Sequence, residues 1–275
     1  MTPSADLAAA DVAVTPAAPS PNLVALIDRW IFVFMAAMLV IVTLVGFIPD
    51  SMMKVGMVEA GKRPPFPAVL HFHAVAMGSW LLLLLAQTSL MATGRRAGHR
   101  QLGLASMVLG PAVILIGFVL VPTMYQQLWN SVHAMPGGPD AEGLQQVAVR
   151  GNIALLQIQV GALFAIFVTL AVRARKRDLS LHKRLMVLAP IVAMPAAVDR
   201  MTWMPGTMPF SPLSPQLYVL LLALPMFAWD LYRLGYVHRA YVIWLALVLP
   251  TDAVVMALWD TPWWQSIVPG LLGAV

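Results

Sequence analysis

The sequence predicts an all-α fold, an integral membrane bundle of seven transmembrane helices around a duplicated two-helix hairpin core. Three observations carry that expectation. Apolar residues make up 60% of the 275 residues and charged residues 11%, with a mean hydropathy of +0.80, so the chain lacks the polar groups to coat a soluble domain. Seven apolar runs, at 29–48, 70–92, 102–124, 150–172, 184–204, 215–232 and 240–259, match the roughly 20 residues that a helix needs to cross a hydrocarbon layer. A hairpin spanning the second and third runs recurs in outline in the fourth and fifth. Every backbone N–H and C=O in lipid has to be satisfied within its own segment, and runs this long exclude a barrel of alternating strands.

The elements follow in order. Residues 1–22 are rich in Ala, Pro, Ser and Thr and lack the basic start and short apolar core of a cleaved signal peptide, so a disordered cytoplasmic tail is expected there. Residues 23–275 are expected to form a single transmembrane domain, with its core at 70–204 and peripheral helices at 29–48, 215–232 and 240–259. In the second run His73, Met77, Trp80, Leu84, Gln87 and Met91 recur at steps of three or four and share one stripe, while His71 points elsewhere. In the third, the stripe through His99 holds Gly103, Ser106, Gly110 and Gly117; in the fifth, the stripe through His182 holds Met186, Ala189, Ala193 and Ala196. Side chains this small leave either space for a flat ligand or a surface on which two helices approach closely. The connection from Tyr125 to Asn152, with Trp129, His133 and a Pro-Gly turn, suits a lid or an interfacial helix. Trp263 and Trp264 suit an aromatic interface anchor.

Charge sets the expected orientation. Arg95, Arg96 and Arg100 occupy one loop, Arg173 to Arg184 hold six cations around a second, and Arg233 and Arg239 flank a third, all on one face. The opposite loops carry only Lys54, Lys62, Arg63 and Arg150. The positive-inside rule therefore predicts a multi-pass protein of a bacterial inner membrane, amino terminus cytoplasmic and carboxyl terminus periplasmic. The net charge of +5 is a topology signal and gives no support to a nucleic-acid partner, because the cations line membrane boundaries and no recognition motif accompanies them. The chain has no cysteine, which removes disulfides, thiolate metal sites, iron-sulfur clusters and cysteine nucleophiles, so a metal would need His, Met or carboxylate ligands.

Polar residues inside apolar helices are costly and mark ligand or ion routes. His73 and Gln87 share a face, and Asn152, Gln157 and Gln159 on the fourth run are their candidate partners. Such a cluster, with Trp80, could bind a quinone carbonyl, a small polar ligand, or a metal ion through His71 and His73. Arg200, next to Asp199, is either one half of a structural ion pair or a charge that grips a ligand. Asp252, just after Pro250 and a possible helix break, either serves a proton path or is satisfied by Thr251 and the backbone.

The segments HAVAMGSWLLLLLAQTSLMATGR, GHRQLG and LHKRLMVLAP resemble an uncharacterised family of bacterial membrane proteins with paired His-Arg or His-Lys helix starts. More distantly, residues 70–200 are similar to the ascorbate-reducible transmembrane cytochrome b proteins, whose four-helix core holds two haems between histidines on alternate helices. The repeat sets His99 against His182, Arg100 against Lys183 and Leu102 against Leu185. The resemblance implies His99 and His182 as ligands of an inner haem, and pairs His73 with Gln157 or Gln159 on the outer side. Glutamine is not an ordinary haem ligand, so it implies one haem b at most. The expected function is electron transfer from that haem toward a quinone or metal acceptor at the His73 cluster. Two alternatives stay open: a non-enzymatic ligand-binding or transport protein built round His73, Gln87, Gln159 and Asp252, and an accessory subunit of a larger membrane complex.

Overall fold

The computed structural model describes residues 20–274; the expected tail lies outside the described residues as far as position 19. Nine helices follow among the described residues: α1 Pro21–Glu59, α2 Ala68–Ala92, α3 Arg96–His133, α4 Ala141–Ala174, α5 Leu179–Ile191, α6 Pro195–Val198, α7 Leu213–Leu234, α8 Arg239–Leu258 and α9 Pro262–Leu271. No strand occurs among them. Seven helical stretches, with α5 and α6 counted as one, are long and apolar enough to cross a membrane, the pattern of a multi-pass membrane protein. Helix α1 starts earlier than its apolar run because Ser20 caps it, accepting from the Leu23 N–H at 3.4 Å, and Pro21 needs no hydrogen-bond partner at the first turn.

Three helices outrun the bilayer. Helices α1, α3 and α4 have 39, 38 and 34 residues. At 1.5 Å per residue they are about 58, 57 and 51 Å long, against a hydrocarbon core of about 30 Å. The connection expected to be a lid or a separate interfacial helix is therefore the continuation of α3 and α4, turned at Gly137 and Gly138, both with positive φ. Asp140 starts α4 by accepting from the Gly143 N–H at 2.7 Å. Helix α9 lies against this extension. Trp264 donates from its indole to the Gly151 carbonyl at 3.0 Å, and a Cβ at Gly151 would stand 3.1 Å from Val268. Tyr125, Val132, Val147, Leu155, Trp264 and Val268 thus form a second, smaller core. Trp264 is buried in it, and of the Trp pair only Trp263 is exposed.

The main core centres on α5. Of the most apolar stretch of Leu179–Val198, 67% is buried, against 17% for α3. Leu185, Leu188 and Ile191 meet Met35 and Leu39 of α1, Phe167 of α4, Met226 of α7 and Trp244 of α8 in one cluster. Helices α1, α7 and α8, expected at the periphery of a 70–204 core, therefore help enclose its last helix. The fifth run is also not a continuous helix. Pro195 has no N–H to donate, so α5 ends at Ile191 and turns through Ala193 N–H to Pro190 C=O and Met194 N–H to Ile191 C=O before α6. By contrast α8 runs unbroken through Pro250.

Helix α1 crosses α6 at Gly46, where an added Cβ would overlap the Ala197 carbonyl. Gly46→Ala should therefore lower stability by about 1–3 kcal/mol, the range for an overpacked site. Gly161→Ala on α4, where a Cβ meets nothing within 4 Å, should be neutral or stabilising. Thermal unfolding of both variants in one detergent checks the contrast.

Candidate functional site

The polar stripe of α2 meets the glycine stripe of α3. A Cβ at Gly117 would stand 3.8 Å from the His73 ring, one at Gly110 3.3 Å from Trp80, and one at Gly103 3.4 Å from the Gln87 amide. The three large residues are seven apart, and so are the three glycines, running the other way. Trp80 also stands edge-on to Phe164 of α4, ring centres 5.3 Å apart. Of the two roles open to the small residues of α3, close helix approach is the one the packing takes. His73 Nδ1, Trp80 Nε1 and Gln87 Oε1 are buried in this seam without a partner in the protein.

The other residues grouped with His73 go elsewhere. No hydrogen bond among the described residues joins His73 to Asn152, Gln157 or Gln159. Asn152 ties α4 to the chain after α8: its Oδ1 accepts from the Asp260 N–H at 3.1 Å and from Gln265 at 2.8 Å. Gln157 is half-buried on α4, and His71 is exposed, edge-on to Phe66. No three His, Asp or Glu side chains gather as a metal site among the described residues. Arg200 donates to Asp50 at 3.0 Å and lies over the Phe47 ring.

Gln159 and Asp252 do meet. The Gln159 amide donates to Asp252 Oδ1 at 2.7 Å and to Thr251 Oγ1 at 3.1 Å, and Gln216 of α7 donates to the Asp252 backbone carbonyl at 3.2 Å. Gln159 Oε1 is buried with no partner in the protein. Gln159, Gln216 and Asp252 line a cavity with room for roughly one water molecule, walled by Leu163, Val192, Pro195 and Val248. Depth agrees between α5 and α8. Asp252 is 13 residues along α8, and Val192, where α5 breaks, is 13 residues beyond Leu179, about 20 Å from the basic-loop end in both cases.

His99 and His182 lie half-buried near that basic-loop end. His182 Nδ1 bonds the Ala171 carbonyl at 2.8 Å, which requires the proton on Nδ1 and leaves Nε2 open. His99 Nδ1 is buried without a partner in the protein, and the two imidazoles are close enough for their charges to interact. This donor pair suits a haem iron. The glycine seam does not suit the macrocycle, since Gln87, Trp80 and His73 already fill it and Ala189, on the stripe of His182, is fully buried.

One buried network escaped sequence reading. Arg184 of α5 grips Asp230 of α7 with two bonds, Nε to Oδ2 at 2.7 Å and Nη2 to Oδ1 at 2.6 Å, and reaches Ser180 Oγ at 2.6 Å. Tyr241 of α8 donates to the same carboxylate. His238 Nδ1 accepts from the Ala240 N–H at 3.1 Å, so its proton sits on Nε2 and faces Ser180 Oγ at 3.2 Å. Burial, reinforced by the Arg184 charge, holds this imidazole below its ordinary range and keeps it in the neutral form that the cap requires. The only sequence signal was an Asp inside an apolar run. Arg184, with five other cations around it, read as a topology charge.

No family model, curated protein or solved structure matches this chain.

Removing one partner of a buried ion pair leaves the other charge stranded. Arg184→Ala should lower stability by about 3–5 kcal/mol. The double change Arg184→Met with Asp230→Leu should recover much of that loss, and unfolding midpoints of the single and double variants decide it.

Proposed function

We propose that the protein is a membrane ligand-binding or transport protein in which Asp252 and Gln159 hold a proton or a small cation inside the bundle. The observation that carries this reading is a half-buried carboxyl, about 20 Å from the basic-loop end, beside a water-sized cavity and level with the break between α5 and α6. A carboxyl at that depth is expensive and is ordinarily found on an ion or proton route. Broken helices in membranes are tolerated where they line such a site, and they supply carbonyls to it. Gln159 presents its amide N–H groups to Asp252 and Thr251, so its carbonyl oxygen is left for a donor or cation. Two acceptor oxygens, one from a carboxylate and one from an amide, then face the same small space and share a need for a donor or a cation. With the basic-loop end taken as cytoplasmic, the site lies nearer the outer surface, and a proton reaching it crosses the shorter part of the bundle first.

The test is proton flux into proteoliposomes carrying a trapped pH dye, driven by a potassium-valinomycin potential. Asp252→Asn, close in size and unable to titrate, should cut protein-dependent flux at least tenfold, and Gln159→Leu should reduce it. Equal flux in Asp252→Asn and the unaltered protein would sink the proton reading; a sodium or potassium flux likewise indifferent to Asp252→Asn would sink the cation one.

A second reading, one haem b held by His99 and His182 in an electron-transfer protein with its macrocycle outside the filled α2–α3 seam, is favoured by the His182 ring. Its Nδ1 proton bonds a carbonyl and its Nε2 is left open, as in imidazoles that bind metals. Each histidine sits three residues into the second helix of its hairpin, α2–α3 or α4–α5, which supports treating the two hairpins as copies of one unit. A bound haem would supply a one-electron couple; His99 and His182 would hold it, and Ala171 would fix the orientation of His182. On this reading the purified protein shows a b-type reduced-minus-oxidised spectrum that His182→Ala abolishes. Colourless protein expressed with ample haem rejects it.

A further inference from the structure

At the end of the bundle opposite the basic loops, cations outnumber their partners. Asp50 of α1 spends a single oxygen, Oδ2, on both Lys54 at 2.8 Å and Arg200 at 3.0 Å. Arg63, in the connection between α1 and α2, lies over the Phe66 ring at 4.4 Å, and its Nε–H is buried with no partner in the protein. Arg150 of α4 is half-buried and makes no salt bridge or side-chain hydrogen bond among the described residues. The charge of Arg150 is within reach of those of Arg63 and Arg200, and the carboxylates beside Arg200 are Asp50 and Asp199. Lys54 and Arg200 therefore share one carboxylate, while Arg63 and Arg150 have no salt-bridge partner among the described residues.

An arrangement like this is unfavourable as it stands. Guanidinium groups partly removed from water repel one another and lose hydrogen bonds that nothing in the protein replaces. Arg63 and Arg150 come from different elements, a connection and a transmembrane helix, and a third guanidinium, Arg200, is held in place by Asp50 and the Phe47 ring. The planar forks of Arg63 and Arg150, with hydrogen-bonding capacity that the protein does not take up, match the several oxygens of a tetrahedral anion.

We propose that Arg63, Arg150 and Arg200 form a binding site for a phosphate-class oxyanion at this end of the bundle, with Arg150 as its central ligand. The oxyanion is either free phosphate or the headgroup of an anionic phospholipid. The site is separate from the Asp252 cavity and does not depend on a proton or cation moving there.

Two arms of one experiment distinguish the sources, using the full chain in detergent freed of lipid. In the first, inorganic phosphate is titrated against chloride at matched ionic strength while the unfolding midpoint is followed. In the second, retention of phosphatidylglycerol is compared with that of phosphatidylcholine by native mass spectrometry. A phosphate-dependent rise in midpoint, weakened at least tenfold in apparent affinity by Arg150→Gln and partly kept by Arg150→Lys, supports the site with free phosphate as occupant. Selective retention of phosphatidylglycerol, lost at least tenfold in Arg150→Gln and kept in Arg233→Gln at the far end, supports it with a headgroup as occupant. Arg63→Gln, in a connection rather than a helix, repeats either arm should Arg150→Gln not fold. Absence of both effects in the unaltered protein, or effects that survive Arg150→Gln and Arg63→Gln, overturns the proposal.

Discussion

The grip of Arg184 on Asp230 joins the central helix to the rest of the bundle. Both charges are almost wholly buried, 4% and 5% exposed, so neither is tolerable without the other. Two parallel N–H···O bonds fix their geometry, and Ser180 and Tyr241 take up remaining capacity. The pair locks α5 to α7, while Tyr241 and His238 bring the start of α8 to the same point. Once the starts of α5 and α8 are pinned together, everything counted along them shares a depth. That is why the break after Ile191 and the carboxyl of Asp252, on helices far apart in sequence, arrive at one small cavity.

Lipid as solvent explains why the remaining polar groups gather where they do. A polar atom facing hydrocarbon has no water to fall back on, so it must pair inside the bundle or sit beside space that something polar can enter. Asn152 follows the first course, using its amide to hold the chain after α8 and to anchor Gln265 of α9. Gln159 follows the second, pairing its N–H groups and leaving its oxygen at the cavity. The apolar second core beneath α9 then closes the protruding ends of α3 and α4.

The lipid-facing part of the molecule was legible in the sequence and the part held by distant pairs was not. Seven apolar runs correspond to seven spans because hydropathy measures what lipid touches. The stripe of His73, Trp80 and Gln87 was correctly placed on one face because helical periodicity is local. Helix length was underestimated, since hydropathy stops at the bilayer surface while backbone hydrogen bonding in α3 and α4 continues past it. Asn152 was assigned to the neighbourhood of His73 because spacing along α4 says which face a residue occupies and nothing about which helix faces it; its partners Asp260 and Gln265 are more than a hundred residues away. Arg184 was hidden among loop cations because its partner lies 46 residues on, in another span. The small residues of α3 admitted two readings that composition alone could not separate, and only the position of α2 decides between them.

The meshing of α2 with α3 also limits how the bundle can move. A seven-residue repeat on both helices is slightly shorter than two full α-helical turns, the spacing that a left-handed twist keeps in register. Three bulky teeth sit in three notches at once. Sliding α2 by one turn would drive every tooth against a ridge, and the next register that fits is about 10 Å away. Helices α2 and α3 are therefore held together as one blade, whose borders in the bundle are with α1, α4 and α5.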